Sequence, residues 1–191
     1  MKKIRSSLNL FACAGLLTLS GLLAGPSAIA QQMDSGTDKM MKSPDMKFAM
    51  KASQGGMAEV QMGQLAAQKG NSPDVKAFGQ QMVDDHTKAN DQLKQVAQSE
   101  NMTLPMTLNA KDQAEYNKLQ GLSGNAFDRE YVNDMVKDHE MDVKEFEKEA
   151  NSGADPQIKN FASQTLPVLH EHLKKIRGIQ SMKPADVADQ H

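Results

Sequence analysis

The chain has 191 residues, 24% of them charged and 4% aromatic, with no tryptophan, a mean hydropathy of −0.58 and a formal net charge of −2. That charge argues against nucleic acid as a partner, and the length is that of one domain. The one cysteine, Cys13, lies in a segment that reads as removed on export, which excludes disulfides, thiolate chemistry and sulfur-rich zinc sites from what remains.

Lys2, Lys3 and Arg5 form a positive start, Leu8 to Ala24 is an apolar run rich in small residues, and Ala28-Ile29-Ala30 is a cleavage site of the A-x-A kind. Residues 1–30 therefore read as a secretory signal peptide of bacterial type, and the protein as periplasmic or exported in a Gram-negative-type envelope. Lipoprotein processing at Cys13 fits less well, because most of the apolar run follows that cysteine. Cleavage after Ala30 takes three of 22 basic residues and no acid, leaving 19 against 24 and a formal charge of −5 with histidines neutral. No later run approaches the roughly 18 apolar residues of a membrane span, and no alternation suggests an outer-membrane barrel.

Residues 31–46 are polar and without periodicity, and read as a disordered leader. Met33, Met40, Met41 and Met46 stud it. Thioethers suit Cu(I), but the spacing matches no ligand motif and the plain reading is a solvated tail.

From there apolar residues recur at helical spacing. Gly70-Asn71-Ser72-Pro73 and Ser152-Gly153-Ala154-Asp155-Pro156 each end one helix and start another, with Ser72 and Asp155 as N-caps and a proline at the first helical position. The pattern predicts four long helices at 47–69, 73–99, 126–151 and 156–180 in one domain of residues 47–180, followed by a disordered tail at 181–191. Between the second and third lies a connection with Leu104-Pro105 and a short helical pattern from Asn109 to Gln120. The expected fold is all-α, an up-down four-helix bundle of ferritin-like form whose long crossover carries a short extra helix. An offset of 83 residues pairs Pro73 with Pro156, Val75 with Ile158, Phe78 with Phe161, Gln81 with Gln164 and Glu59 with Asp142, as a duplicated hairpin would.

Advancing about 100° per residue aims one ionisable side chain of each long helix at the core. These are Glu59, His86, His139 and His172, each near mid-height. His170, rotated by roughly 160° from His172, faces solvent. Met82-Val83-Asp84-Asp85-His86 and Met135-Val136-Lys137-Asp138-His139 thus repeat a pattern that presents histidine among apolar neighbours. The preceding acids, Asp85, Asp138 and Glu171, are turned about 100° away, toward helix seams, where each can accept a hydrogen bond from a histidine on an adjacent helix. Pro167 predicts a kink one turn before His172. A buried histidine can equally be a strut that fixes helix register. Four such groups at one level are costly to bury without compensation, which points to a metal or small-ligand site.

The segments Ala58-Glu59-Val60, Ser72 to His86, Ala126 to His139 and Phe161 to His172, with their Met-x-x-Asp-His and Leu-Pro-x-Leu-x-x-His elements, resemble an exported bacterial family with a ferritin-like four-helix fold, the domain of unknown function numbered 4142. The resemblance covers about residues 47–180. It implies the fold and places Glu59, Asp85, His86, Asp138, His139, Leu166, Pro167 and His172 at the family's recurrent positions, with no activity attached.

Di-iron bundles use one Glu on each of two helices and Glu-x-x-His on the other two. Glu59 and Asp142 can stand for the single carboxylates, but Val83 and Leu169 break the Glu-x-x-His pairs. A nitrogen-rich set suits Zn(II) or Cu(II) better. The candidate metal ligands are therefore Glu59, His86, His139 and His172, with Asp142 weaker and Asp85, Asp138 and Glu171 behind them. The competing reading is a non-catalytic envelope scaffold or stress-related interaction protein. No nucleophile with an adjacent base and no phosphate loop supports an enzyme. The sequence names no protein partner and leaves a homo-oligomer open.

Overall fold

A computed structural model describes residues 43–182. They form five helices and no strand: α1 (Pro44–Lys69), α2 (Pro73–Ser99), α3 (Ala110–Gln120), α4 (Gly124–Ser152) and α5 (Pro156–Ser181). The expected signal peptide at 1–30, residues 31–42 of the expected leader and 183–191 of the expected tail lie outside the described residues.

Three of the long helices start by the same device. Ser43, Ser72 and Asp155 accept hydrogen bonds from backbone N–H groups of the first turn, and Pro44, Pro73 and Pro156 follow, where a missing N–H costs nothing. The first of these moves the domain boundary. Pro44, Asp45 and Met46 belong to α1, and Met46 and Asp45 are buried rather than solvated as the leader reading had them, because α1 continues to the α4–α5 turn and packs there. At the far end Ser181 closes α5. The third long helix begins two residues earlier than periodicity suggests, at Gly124, whose φ of +56° only glycine adopts cheaply. Helix α2 ends in a Schellman motif: Asn101 is left-handed, and the N–H groups of Met102 and Asn101 return to the carbonyls of Ala97 and Gln98.

Helices α1 and α2 pair, as do α4 and α5, while α2 packs on α5 and α1 on α4. The crossover carries the chain back along the bundle, with α3 against α1 and α4. It is pinned by Gln54 donating to the Thr107 carbonyl and Lys69 to that of Gln120. All neighbouring long helices are antiparallel. One end holds the α1–α2 turn and the start of α4, joined by Asn71 and Asp128; the other holds the start of α1 and the α4–α5 turn, joined by Asp45 and Ala154.

The core runs the length of the bundle and includes Phe78, Met82, Leu93, Phe127, Met135, Ile158, Leu169 and Ile176. Each large apolar side chain there contributes about 1.5–3 kcal/mol relative to exposure. Where α1 and α2 cross, the backbones touch: a Cβ on Gly63 would lie 2.8 Å from the Gly79 carbonyl oxygen, and one on Gly79 would lie 2.7 Å from that of Gly63. Helix α5 continues through Pro167 without a break and keeps His172 in the core.

Candidate metal centre

Glu59, His86, His139 and His172 converge at mid-height, one from each long helix, and all four are buried. Their sequence phase suffices for this, because a side chain near the middle of an apolar stripe has no direction to take but inward. The ring centroids stand 5.8 Å apart for His86 and His139, 5.3 Å for His86 and His172, and 5.4 Å for His139 and His172.

Each imidazole has one nitrogen tied to an acceptor. His86 Nδ1–H donates to Glu59 Oε2 at 2.9 Å, His139 Nδ1–H to the Met135 carbonyl at 3.0 Å, and His172 Nε2–H to Asp85 Oδ2 at 2.8 Å. A carbonyl and ionised carboxylates can only accept, so these three nitrogens carry the ring protons. One nitrogen from each ring lies within 4.8 Å of one from each of the others. His86 Nε2 is buried without a partner, and His139 Nε2 stands 3.3 Å from His172 Nδ1. With neutral rings, the lone pairs of His139 Nε2 and His172 Nδ1 face each other with no hydrogen between them, and that of His86 Nε2 is left unpaired.

The electrostatics agree. Burial alone would raise Glu59, but the attraction of His86 and His139 and the His86 hydrogen bond hold it down at about 2. Burial opposes ionisation of Asp85 too, and the bond from His172 and one from Gln81 lower it. Burial pushes His139 down to about 4, and lowers His172 against the pull of Asp85. Burial disfavours charge on His86 as well, yet Glu59 outweighs it and raises the ring. The cage is thus two carboxylates around three imidazoles, and their field favours positive charge within it.

The carboxylates divide differently from the sequence expectation. Glu59 stands behind His86, on its Nδ1, and its Oε1 is 3.6 Å from His139 Nδ1. Of the three acids set at seams, only Asp85 takes a hydrogen bond from a histidine of an adjacent helix. Asp138 faces Lys111 of α3 at 3.5 Å, and burial raises it to about 6. Glu171 is exposed and at no such seam. The helical wheel gives an azimuth but not the neighbour found there. Asp142 is half-buried, and burial with Glu59 and Asp138 nearby drives its carboxyl well above the usual range. It lies outside the three-nitrogen set. His170 is exposed, 3.6 Å from Glu147.

Three contributors escape a histidine-and-acid search. The Met135 carbonyl is backbone and has no sequence signal. Gln81 and Lys175 extend the chain from His172 through Asp85 to the surface, at 3.3 and 2.7 Å; Gln81, four residues before Asp85, was the available clue. The apolar walls include Phe78, whose ring lies 6.3 Å from His139 and 6.2 Å from His172. Met62, Met82 and Met135 are all buried one turn from Glu59, His86 and His139. Because α1 runs opposite to α2 and α4, all three methionines lie on the same side of the imidazole layer.

Several solved structures share the fold. The DUF305 fragment from Deinococcus radiodurans aligns with a TM-score of 0.63 at 12% identity, over 72% of this chain and 95% of that one. CopM in its Cu(I)-bound form aligns with 0.61 at 18% identity, over 72% and 96%, and in its Cu(II)-bound form with 0.59 at 18%, over 71% and 94%. No curated protein matches the sequence. Residues 30–179 match the family described as a domain of unknown function, DUF4142, and the chain belongs to that family.

Proposed function

We propose that this is an exported metal-binding bundle holding one copper ion, or an ion of similar softness, on His86 Nε2, His139 Nε2 and His172 Nδ1. The convergence of three lone-pair nitrogens whose opposite nitrogens are all hydrogen-bonded carries the reading. A metal ligand histidine is normally held in this way by a carboxylate or carbonyl on its far side. Glu59, Asp85 and the Met135 carbonyl take that part. Imidazole suits copper and zinc, and the thioether layer of Met62, Met82 and Met135 favours the softer ions. CopM, a protein of the same fold, has been captured with Cu(I), Cu(II) and silver, which supports this choice. The signal-like first thirty residues support a place outside the cytoplasm.

A second reading has one observation in its favour. His86 is raised, so a single proton closes the cage and the network serves only to set helix register. The two readings separate in a thermal melt of the metal-stripped mature chain. With Cu(I) under reducing, oxygen-free conditions at a hundred times Kd, the copper reading expects about 2.7 kcal/mol of added stability, a rise of several degrees in Tm. His139→Ala should remove it and His170→Ala should not. If Cu(I), Cu(II), Ag(I) and Zn(II) all leave Tm unchanged, the proton-closed scaffold is the better account.

A further inference from the structure

At the end of the bundle where α1 begins, two acids meet with no base between them. Asp45, in the first turn of α1, and Glu149, in the last turn of α4, are each only 7% exposed. Both oxygens of Asp45 are committed to the α4–α5 turn, accepting from the N–H of Ala154 at 3.1 Å and of Asp155 at 3.0 Å. Glu149 lies close enough to Asp45 for the two carboxyls to bear on each other, and its Oε1 is buried with no hydrogen-bond partner. Gly153 closes the space above it: a Cβ there would lie 2.5 Å from Glu149 Oε1. Two carboxylates cannot hydrogen-bond each other; a carboxyl and a carboxylate can.

We propose that Glu149, set against Asp45, forms a proton-operated latch, closed while Glu149 holds its proton and opened when it ionises, which ties the start of α1 to the α4–α5 turn. The charged groups bearing on Glu149 are Asp45 from α1, Asp155 from the turn and Lys148 from α4. Lys148 is exposed and opposes the two acids weakly. Burial, then the neighbouring Asp45, pushes Glu149 up to about 7, so the latch changes state near neutrality. The folded chain holds the proton to higher pH than the unfolded one. The contribution of the Glu149 proton to attachment is therefore full below about pH 4.5, falls as pH rises toward 7 and is lost above it.

The molecule carries its own control. The 83-residue offset maps Asp45, Ala154 and Asp155 onto Asp128, Asn71 and Ser72. Asp128 accepts from the N–H of Asn71 and of Ser72, each at 2.8 Å, so the same carboxylate-to-turn bracket exists at the opposite end. The counterpart of Glu149 is Ala66. One bracket has the second acid and the other lacks it. Nothing in the latch depends on the metal reading, since it lies at the far end of α4 from the start that Asp128 braces and outside the imidazole cage.

Two measurements on the mature chain decide the matter. Carbon-13 carboxyl shifts should show Glu149 titrating near pH 7. Amide exchange, corrected for intrinsic rates, should show protection at Ala154 and Asp155 falling about tenfold between pH 6 and 8 while Asn71 and Ser72 hold steady, one pK unit of linkage corresponding to tenfold. In Glu149→Gln the fall should vanish, and Glu149→Ala, which copies the Ala66 arrangement, gives the same comparison should the amide fail to fold. A Glu149 midpoint near 4.5, equal loss of protection in both turns, or a fall that persists in the variants would each overturn the latch.

Discussion

The two hairpins, α1–α2 and α4–α5, share a frame and differ in what is placed on it. Gly70 and Gly153 leave their helices with φ,ψ of −49°,139° and −56°,139°, each N–H returning to a carbonyl four residues back, and each turn is bracketed by an aspartate of the other hairpin. Yet none of the three histidines obeys the 83-residue offset: His86 pairs with Leu169, His139 with Gly56 and His172 with Ala89. The two Met-Val-x-Asp-His segments are 53 residues apart, so the 83-residue offset does not relate them. They are similar because α2 and α4 each bring a histidine to the same height inside an apolar stripe. The frame is repeated, whereas the site is asymmetric, built one residue at a time.

Changes at the frame should cost most where the hairpins diverge in packing. Gly63 and Gly79 of the first correspond to Phe146 and Ala162 of the second. Gly79→Val drives carbon into the backbone at Gly63 and Ala67, where nothing can yield, and should destabilise by about 3 kcal/mol. Ala162→Val should cost clearly less. Equal costs in urea unfolding would mean that the α1–α2 backbones are not in contact.

Acid should act on the site rather than the frame. His139 is held at about 4 against 6.5 for the free side chain, so the folded state binds fewer protons than the unfolded between those values. Its contribution is intact above pH 6.5 and is lost as pH falls toward 4, by about 3 kcal/mol. Glu59, held at about 2, adds a loss in the same direction below 4.5. His86 runs the other way, its stabilisation fading as pH rises through its raised value. In metal-free protein, His139→Leu should flatten the slope between pH 6.5 and 4; an unchanged slope would assign the acid sensitivity elsewhere.

Copying the second hairpin's residue into the first gives a smaller effect. His86→Leu leaves Glu59 a buried carboxylate without its 2.9 Å hydrogen bond and should cost about 2 kcal/mol in metal-free protein. Glu59→Gln on that background should recover much of the loss, a coupling that a double-mutant cycle reads directly. Smallest is the bracket: Asp128→Ala frees the N–H groups of Asn71 and Ser72, partly open to water, and should cost about 1 kcal/mol.

The fold was largely legible because it rests on local signals. Ser72-Pro73, Asp155-Pro156 and the 3.6-residue stripes mark helices wherever they occur, and the same stripes sent Glu59, His86, His139 and His172 inward. Pairing between helices was not legible in that way. Asp85, Asp138 and Glu171 have the same phase relative to their histidines, yet they meet His172, Lys111 and solvent, because partners depend on which helix is packed alongside. The role of Glu59 was hidden for the same reason: its phase shows that it enters the core, while only the rotamer of His86 shows that it stands behind a ring. Ser43-Pro44 carried the same cap-and-proline signal as the other starts, and the polar leader before it masked the signal.

The most direct test is nitrogen-15 NMR of the histidine rings in the mature chain, with and without Cu(I) or Zn(II), both of which leave the spectrum free of paramagnetic broadening. Binding should shift His86 Nε2, His139 Nε2 and His172 Nδ1, while His86 Nδ1, His139 Nδ1 and His172 Nε2 keep their protons and move little. Rings unchanged by either ion, or a metal found on His86 Nδ1 or on His170, would contradict the proposed centre.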